Sequence, residues 1–212
     1  MSRPQNIFYT PYYETILKDD FSVLEEFKEY RLKPNQTVVK PYSSMVTDMN
    51  PLRLLTLPKL HGVEKTLRVH FKNFIKMLGV HDHTDFIITT SWMVAIREGG
   101  NIFPHKHLNS WFSGLLYFGD DYTNATHLQL ENPSSGQSSI WVDMNTEYQP
   151  DQMHHIVPRP NLLVFFPSYL RHFSRIHEEE KTRYTLAFNM FPTGELGEAG
   201  IDSHMNTSWL SS

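Results

Sequence analysis

The chain of 212 residues has the length of one large domain and can bury a sizeable core without disulfide bonds. Hydrophobic residues make up 40% and charged residues 20%, with 10 Gly and 13 Pro, which excludes collagen, low-complexity disorder and a coiled coil. The formal net charge of −4 provides no basic field for nucleic acid or an anionic membrane, and no apolar run approaches the ~20 residues that span a bilayer.

Cysteine is absent, which excludes disulfides, Cys nucleophiles, iron–sulfur clusters and thiolate zinc sites. The lack of Cys fits a reducing interior, and the first residues lack the apolar core of a secretory signal, so we expect an intracellular location. The 12 His residues are the remaining metal-binding resource. A metal site in this chain must use imidazole, carboxylate or backbone oxygen, ligands that suit iron, manganese or zinc.

The first 80 residues are predicted to be helical. Ser22 fits a helix cap, with Glu25 three residues on. The helical spacing of apolar residues is absent from residues 34–50, which predicts a long connecting segment there. A second helix is predicted from about Val63 to Leu78, because its apolar residues recur at intervals of three and four, and Gly79 is its expected stop.

After the second helix the hydrophobic period changes to two, which predicts strands. They cover residues 86–96, 111–118, 127–131, 140–144, 161–166 and 183–191. Short strands broken by turn residues indicate a β-sandwich or barrel, and helices that precede the strands argue against a parallel α/β sheet. We therefore predict one mainly β domain over residues 1–212: a double-stranded β-helix (a cupin-like jelly roll) at 85–192, a helical layer packed on one sheet at 1–80, and a polar tail at 193–212.

The densest polar segment is 104–110, between a Gly-Gly turn and a predicted strand. His105 and His107 are two residues apart, so in an extended segment both imidazoles point the same way and can reach one ion. In isolation, however, two nearby imidazoles on a loop are more often simply solvated.

Two further signals follow downstream. His172 comes just after a buried apolar strand, and Arg183 lies eleven positions beyond it. Alternation along the last strand places Arg183, Thr185, Ala187 and Asn189 on one face and Tyr184, Leu186 and Phe188 on the other. A cation and a hydroxyl that project together can hold a carboxylate by charge-assisted hydrogen bonds. An Arg that merely snorkels to the barrel mouth is the alternative.

Several short motifs occur in a fixed order over residues 85 to 192: Ser91-Trp92, His105-x-His107-x-Asn109-Ser110, Ser113-Gly114-x-x-Tyr117, Phe166-Pro167-Ser168 with His172, and Arg183 before Phe188-Asn189. This set resembles the Fe(II)/2-oxoglutarate-dependent oxygenases, and within them a small family of bacteria and viruses. In that superfamily a His-x-carboxylate pair and a later His bind iron, and a following Arg, often with a hydroxyl two positions on, binds the far carboxylate of 2-oxoglutarate. The resemblance assigns these roles to His105 with position 107, His172, and Arg183 with Thr185.

One departure concerns the third iron ligand, which is usually Asp or Glu but here is His107. The iron could bind three imidazoles, or only His105 and His172 with water in the third position. It could also take a carboxylate from elsewhere: Asp120, Asp121 or Asp143. We favour three imidazoles, because the His-x-His motif is the one that the small family of bacteria and viruses has at this position. A neutral triad leaves Fe(II) with more positive charge, so its reactivity depends more on the hydrogen bonds around it.

Other residues have weaker signals. Tyr117 and Asn109 are candidates to hydrogen-bond 2-oxoglutarate, with a core aromatic and a turn residue as the respective alternatives. We interpret His81 and His83 as solvated. His154 and His155 could edge the pocket, but we favour ordinary strand or loop positions for them. Trp92, Trp111 and Trp141 are interpreted as core residues, with a substrate platform as the alternative.

The resemblance implies an Fe(II)- and 2-oxoglutarate-dependent dioxygenase that uses O2, hydroxylates an unidentified substrate, and releases succinate and CO2. The alternative is a cupin-like metal- or sugar-binding jelly roll without redox turnover, which would have no reason to keep a cation at Arg183. A third possibility is a structural jelly roll of the viral type, in which the His residues are incidental.

Overall fold

The computed structural model describes residues 10–35, 42–81, 84–119, 122, 124–133, 152–197, 200 and 202–211. The strands are β1 (Tyr13–Ile16), β2 (Leu32–Pro34), β3 (Ser44–Thr47), β4 (Asp85–Ile96), β5 (Ile102–His105), β6 (Phe112–Tyr117), β7 (Leu128–Glu131), β8 (Met153–Ile156), β9 (Leu162–Pro167), β10 (His172–Ser174), β11 (Arg183–Thr193), β12 (Glu195–Leu196) and β13 (Met205–Asn206). The helices are α1 (His61–Met77) and four short 3₁₀ helices, Ser22–Phe27, Leu54–Thr56, Pro58–Leu60 and Ser208–Ser211.

Two antiparallel sheets form the core. The large sheet has the order β1-β9-β6-β11-β4-β3-β2, and the small sheet has the order β5-β10-β7-β8. This architecture confirms the predicted jelly roll, and the predicted strands at 86–96, 111–118, 127–131, 161–166 and 183–191 correspond to β4, β6, β7, β9 and β11. The predicted strand at 140–144 lies outside the described residues.

Strand β9 shows that the large sheet has a hydrophobic core on each of its two faces. Its residues are buried on both faces, so the strand reads as a continuous apolar run rather than as an alternating one. Leu163 and Phe165 pack toward α1, whereas Leu162, Val164 and Phe166 face the small sheet. The large sheet is therefore a middle layer, with α1 on one side and the small sheet on the other.

Helix α1 covers the outer face of the large sheet, as the apolar spacing predicted. Phe71 contacts Phe86 and Phe165 of the sheet, with both ring-centroid distances at 5.1 Å. Gly79 ends the helix, with a φ of 84° and its N–H donated to the Lys76 carbonyl at 3.0 Å. Glycine is suited to this left-handed position because it has no Cβ. Within the described residues, no helix is both long and apolar enough to cross a membrane.

The N-terminal part differs from the helical layer predicted for residues 1–80. Three of its strands join the large sheet, with β1 on one edge and β2 and β3 on the other. These strands have three or four residues, too few to show a period, and form because an existing strand offers them free hydrogen-bonding groups. The predicted connecting segment 34–50 accordingly contains β3.

The predicted helix start at Ser22 is correct, but the helix is a six-residue 3₁₀ turn and Ser22 is not its cap. Asp20 instead accepts hydrogen bonds from the Ser22 backbone N–H (2.8 Å) and from its hydroxyl (3.1 Å). The expected polar tail also contains some structure, because β12 and β13 form a hairpin and Thr207 beside it is buried.

Gly114 lies in the middle of β6, opposite Phe188 of β11. A Cβ at position 114 would lie 2.3 Å from two ring carbons of Phe188, a side chain that is fully buried. The ring can therefore occupy the sheet face toward α1 only because residue 114 has no side chain.

We predict that Gly114→Ala lowers the free energy of unfolding by about 1–3 kcal/mol, the usual cost of overpacking a core. Urea denaturation followed by tryptophan fluorescence measures the change. Gly62→Ala is the matched control, because Gly62 is in α1 with nothing within 4 Å of its Cβ position, and alanine favours helix. Equal stability of the two variants would contradict the prediction.

Candidate active site

Three imidazoles converge where strand β5 ends and strand β10 begins. His105 ends β5, and His172 begins β10 as its direct cross-strand partner. His107 follows β5 and reaches the same point, with its Nε2 3.2 Å from Nε2 of His105. Their potential ligand atoms all lie within 4.8 Å of one another, and they are the one group of three or more His, Asp or Glu side chains of this kind among the residues that the structure describes.

Hydrogen bonds determine which ring nitrogen of His105 and His172 is available to a metal. Nδ1 of His105 lies 2.8 Å from the Phe103 carbonyl, and Nδ1 of His172 lies 2.9 Å from the Leu170 carbonyl. A carbonyl oxygen can only accept, so each Nδ1 must carry the hydrogen. The Nε2 lone pair of each neutral ring is then free for coordination.

His107 is oriented in the same way, but by side chains. Its Nδ1 donates to Asn189 Oδ1 at 2.6 Å, and Ser113 Oγ lies 2.9 Å from the same nitrogen. Asn189 Nδ2 donates to Thr90 Oγ1 at 2.9 Å, which sets the direction of the amide. The chain Thr90–Asn189–His107 therefore holds the third Nε2 toward the other two.

Ser168 ties the loop that carries His107 to the end of β9. Its buried hydroxyl lies 2.7 Å from Ser110 Oγ and 2.9 Å from Ser113 Oγ, and its carbonyl accepts from the His107 backbone N–H at 3.1 Å. Sequence reasoning assigned no role to Ser168 or Thr90. Two signals in the sequence pointed to them. Ser168 belongs to the Phe166-Pro167-Ser168 motif, and Thr90 is two residues before Trp92 and therefore on the same face of β4.

Burial keeps two of the imidazoles neutral. Burial, together with the neighbouring His105, lowers the pKa of His172 to about 3. Burial is also the main cause of a lowered pKa at His107, where His105 adds to the effect and the Asn189 hydrogen bond opposes it. Both rings are therefore unprotonated at neutral pH and can donate a lone pair.

A cavity of about 250 Å³ extends from the imidazoles between the two sheets. Its walls include Trp92, Val94, Leu115, Tyr117, Leu128, Ser174, Arg183, Thr185 and Ala187. This volume is below the range of roughly 300–1,000 Å³ that is typical of drug-sized ligands. The cavity therefore suits a small molecule.

The far end of the cavity carries a buried positive charge. Arg183 is 3% exposed, and its Nη1 donates to the Thr126 carbonyl, but its Nε has no hydrogen-bond partner. The Thr185 hydroxyl is also buried without a partner. Tyr117 packs beside the guanidinium, with its ring centroid 5.7 Å from Cζ, and burial raises the pKa of its phenol.

Burial lowers the pKa of Arg183, and in the described part of the chain no carboxylate forms a salt bridge with it. An uncompensated buried cation is unfavourable and strongly favours an anionic ligand. Arg183 and Thr185 can together bind a carboxylate through charge-assisted hydrogen bonds.

Asn109, a candidate to hydrogen-bond 2-oxoglutarate, is not among the residues that line this cavity. It is exposed at a bend after His107 and has a φ of 54°, a left-handed conformation that Asn tolerates better than most residues. The turn alternative therefore describes this residue, whereas Tyr117, the other candidate, does line the cavity.

The remaining candidates lie in several places. Trp92 lines the cavity with its ring centroid 5.5 Å from that of His107, whereas Trp111 stacks on Phe86 at 5.4 Å on the helix side of the sheet. His154 and His155 are exposed on β8. Other positions fall outside the described residues: Asp82, His83, Asp120, Asp121, Trp141 and Asp143.

Comparisons with known proteins give one family match. A family model described as "Putative 2OG-Fe(II) oxygenase" matches residues 90–189, the segment that contains the three imidazoles, Arg183 and Asn189. A search of curated proteins found no significant match.

Solved structures share the fold. An oxidoreductase of the 2OG-Fe(II) oxygenase family from Burkholderia pseudomallei is 14% identical with a TM-score of 0.55, covering 80% of this chain and 76% of that chain. HygX from Streptomyces hygroscopicus, solved with nickel and 2-oxoglutarate bound, is 9% identical with a TM-score of 0.59, covering 87% and 84%. A Pseudomonas putida prolyl-4-hydroxylase is 13% identical with a TM-score of 0.53, covering 85% and 92%.

We predict that Asn189→Ala weakens the binding of Mn²⁺ by about 10- to 100-fold, because the His107 ring loses its main acceptor. Titration calorimetry with Mn²⁺ measures the affinity. Asn189→Asp keeps an oxygen acceptor in the same place and is expected to bind Mn²⁺ within a few fold of the parent. An Asn189→Ala protein that binds as tightly as the parent would show that the amide does not position His107.

Proposed function

We propose that this chain is an Fe(II)/2-oxoglutarate-dependent oxygenase that binds its iron through Nε2 of His105, His107 and His172 and hydroxylates an unidentified substrate. One observation carries the ligand assignment: each of the three rings has its Nδ1 hydrogen-bonded to an oxygen, so three Nε2 lone pairs converge. Imidazole is a suitable ligand for iron.

The ligand set proposed is neutral. No Asp or Glu of the described residues joins the imidazole cluster. The carboxylates considered from the sequence, Asp120, Asp121 and Asp143, are not among the residues that the structure describes. With no carboxylate among the ligands, the basicity of the imidazoles depends on the groups behind them, of which Asn189 and Ser113 contact His107.

The same proposal assigns 2-oxoglutarate to the cavity. Arg183 Nε and Thr185 Oγ1, both buried without a partner, fit the carboxylate at the far end of this cosubstrate. The keto acid end would lie toward the imidazoles, and Tyr117 would pack alongside. The small volume and the unpaired cation both favour a short dicarboxylate over a neutral ligand of the same size.

When bound, iron and 2-oxoglutarate supply the O2-dependent oxidation of the family, with release of succinate and CO2. The chain itself orients and encloses the reactants. The hydrogen bonds at Nδ1 hold each imidazole in one tautomer, and Arg183 holds the cosubstrate by one end. Val94, Leu115 and Leu128 limit the entry of water along the cavity wall.

Substrate would approach from the side of His105, the exposed member of the triad. A surface groove of about 550 Å³ passes this residue and is lined also by Lys106, Tyr169 and Arg171. His172, by contrast, is buried behind it.

The test is thermal unfolding of the protein with Mn²⁺, with and without 2-oxoglutarate. Mn²⁺ replaces iron without turnover, and each ligand at about 100 times its Kd should stabilise the fold by about 2.7 kcal/mol, or roughly 5–10 °C in Tm. Stepwise stabilisation, first by metal and then by the keto acid, supports the oxygenase. Stabilisation by metal alone supports the cupin-like module, and no response to metal would overturn both assignments.

We predict that His172→Ala abolishes the Tm increase with Mn²⁺ and, with iron, the formation of succinate, because the buried ligand at the centre of the cluster is lost. His154→Ala is the matched control, since His154 is exposed on β8 and outside the cluster. An unchanged response of the His172 variant would show that this ring is not a ligand.

We predict that Arg183→Lys raises the KM for 2-oxoglutarate by about 10- to 100-fold while the response to Mn²⁺ stays intact, because Lys keeps the charge but lacks the Nε–H and the planar fork. Succinate formation against 2-oxoglutarate concentration measures the change. Arg175→Lys, at an exposed position, is the control. A parental KM in the Arg183 variant would refute the anchor assignment.

A further inference from the structure

Ser174, at the end of β10, is a buried hydroxyl for which the fold provides no partner. It is 2% exposed, its Oγ makes no hydrogen bond, and it lines the 250 Å³ cavity. Buried hydroxyls in folded proteins are nearly always paired, so an unpaired one that lines a cavity is available to hydrogen-bond a ligand there.

The strand register shows where this hydroxyl lies along the cavity. Ser174 is two residues beyond His172 and therefore on the same face of β10, roughly 6.5 Å further along the strand. On the neighbouring strand β7, His172 is paired with Leu130 and Ser174 with Leu128. Thr126 lies two residues before Leu128, and its carbonyl accepts a hydrogen bond from Arg183 Nη1.

Ser174 thus lies between the imidazoles and the guanidinium. It projects from the small sheet, whereas Arg183 and Thr185 project from the large sheet into the same cavity. Three polar groups without partners, Ser174 Oγ, Thr185 Oγ1 and Arg183 Nε, therefore surround one small volume. A single ligand with an anionic end would satisfy all of them.

We propose that Ser174 is a cosubstrate-binding residue whose hydroxyl donates a hydrogen bond to the distal carboxylate of 2-oxoglutarate from the sheet opposite Thr185. The inference rests on the proposed function of the cavity. In this arrangement, side chains of both sheets bind the distal carboxylate. The site then favours keto acids that carry a second carboxylate over those that end in a methyl group.

The experiment compares Ser174→Ala with the parent, each loaded with Mn²⁺, by titration calorimetry with 2-oxoglutarate and with 2-oxobutyrate, which lacks the distal carboxylate. Loss of a hydrogen bond to a charged group should weaken the binding of 2-oxoglutarate by roughly 10-fold. The affinities for Mn²⁺ and for 2-oxobutyrate should stay within about 2-fold of the parent. Ser174→Thr, which keeps a hydroxyl, should recover most of the affinity for 2-oxoglutarate.

Ser44→Ala is the matched control, because Ser44 is also a buried hydroxyl without a partner but does not line the cavity. It should bind both keto acids as the parent does. Unliganded Ser174→Ala should melt at or above the Tm of the parent, because an unpaired hydroxyl contributes no hydrogen bond to the fold, and this measurement shows that the variant is folded.

Parental affinity of Ser174→Ala for 2-oxoglutarate would overturn the inference while leaving the proposed function intact. Equal weakening for both keto acids would overturn it too, because the effect would then not involve the distal carboxylate. If the parent itself binds Mn²⁺ but neither keto acid, the proposed function fails, and this inference fails with it.

Discussion

The register of the small sheet is the constraint on which the site depends. His172 begins β10 directly opposite His105 on one neighbour and Leu130 on the other. Because side chains alternate between the two faces of a strand, a slip of one residue would turn His172 and Ser174 away from the cavity together. The central strand β11 has the corresponding role in the large sheet. Its pairing with β4 and β6 places Asn189 between Thr90 and Ser113, behind the imidazoles.

The charge distribution in the cavity follows from these two registers. One end holds the three imidazoles, and the other holds a guanidinium that no carboxylate of the described residues neutralises. A divalent cation at the first end would leave the cavity still more positive. Under the proposed function, a dicarboxylate such as 2-oxoglutarate would compensate charge at both ends at once, which would give a physical reason for metal and cosubstrate to share one small cavity.

Much of the framework could be predicted from the sequence. Helix α1 and strands β4, β6, β9 and β11 are long enough to show a period, and the alternation along β11 correctly separates Arg183 and Thr185 from the helix-facing Leu186 and Phe188. The short strands β1 to β3, β5, β8 and β10 were not predicted, because three or four residues carry no clear period and their pairing depends on neighbours distant in the chain. The direction of the Asn109 side chain could not be predicted either, since strand parity does not extend past a turn.

The chemistry available to this chain was evident from its residues alone: imidazoles and carboxylates without thiolates, a His-x-His pair, and a cation two residues before a hydroxyl on an apolar strand. Those properties depend on residue identity and on periods of a few residues. The three-dimensional fold was needed to show which of the 12 His residues meet. It was also needed to show that Thr90, Ser113, Ser168 and Asn189 hold one of them, and that Ser174 and Arg183 line the same cavity. Those contacts join residues tens of positions apart, and their geometry is set by sheet register and by the packing of one sheet on the other, neither of which is encoded in any local pattern.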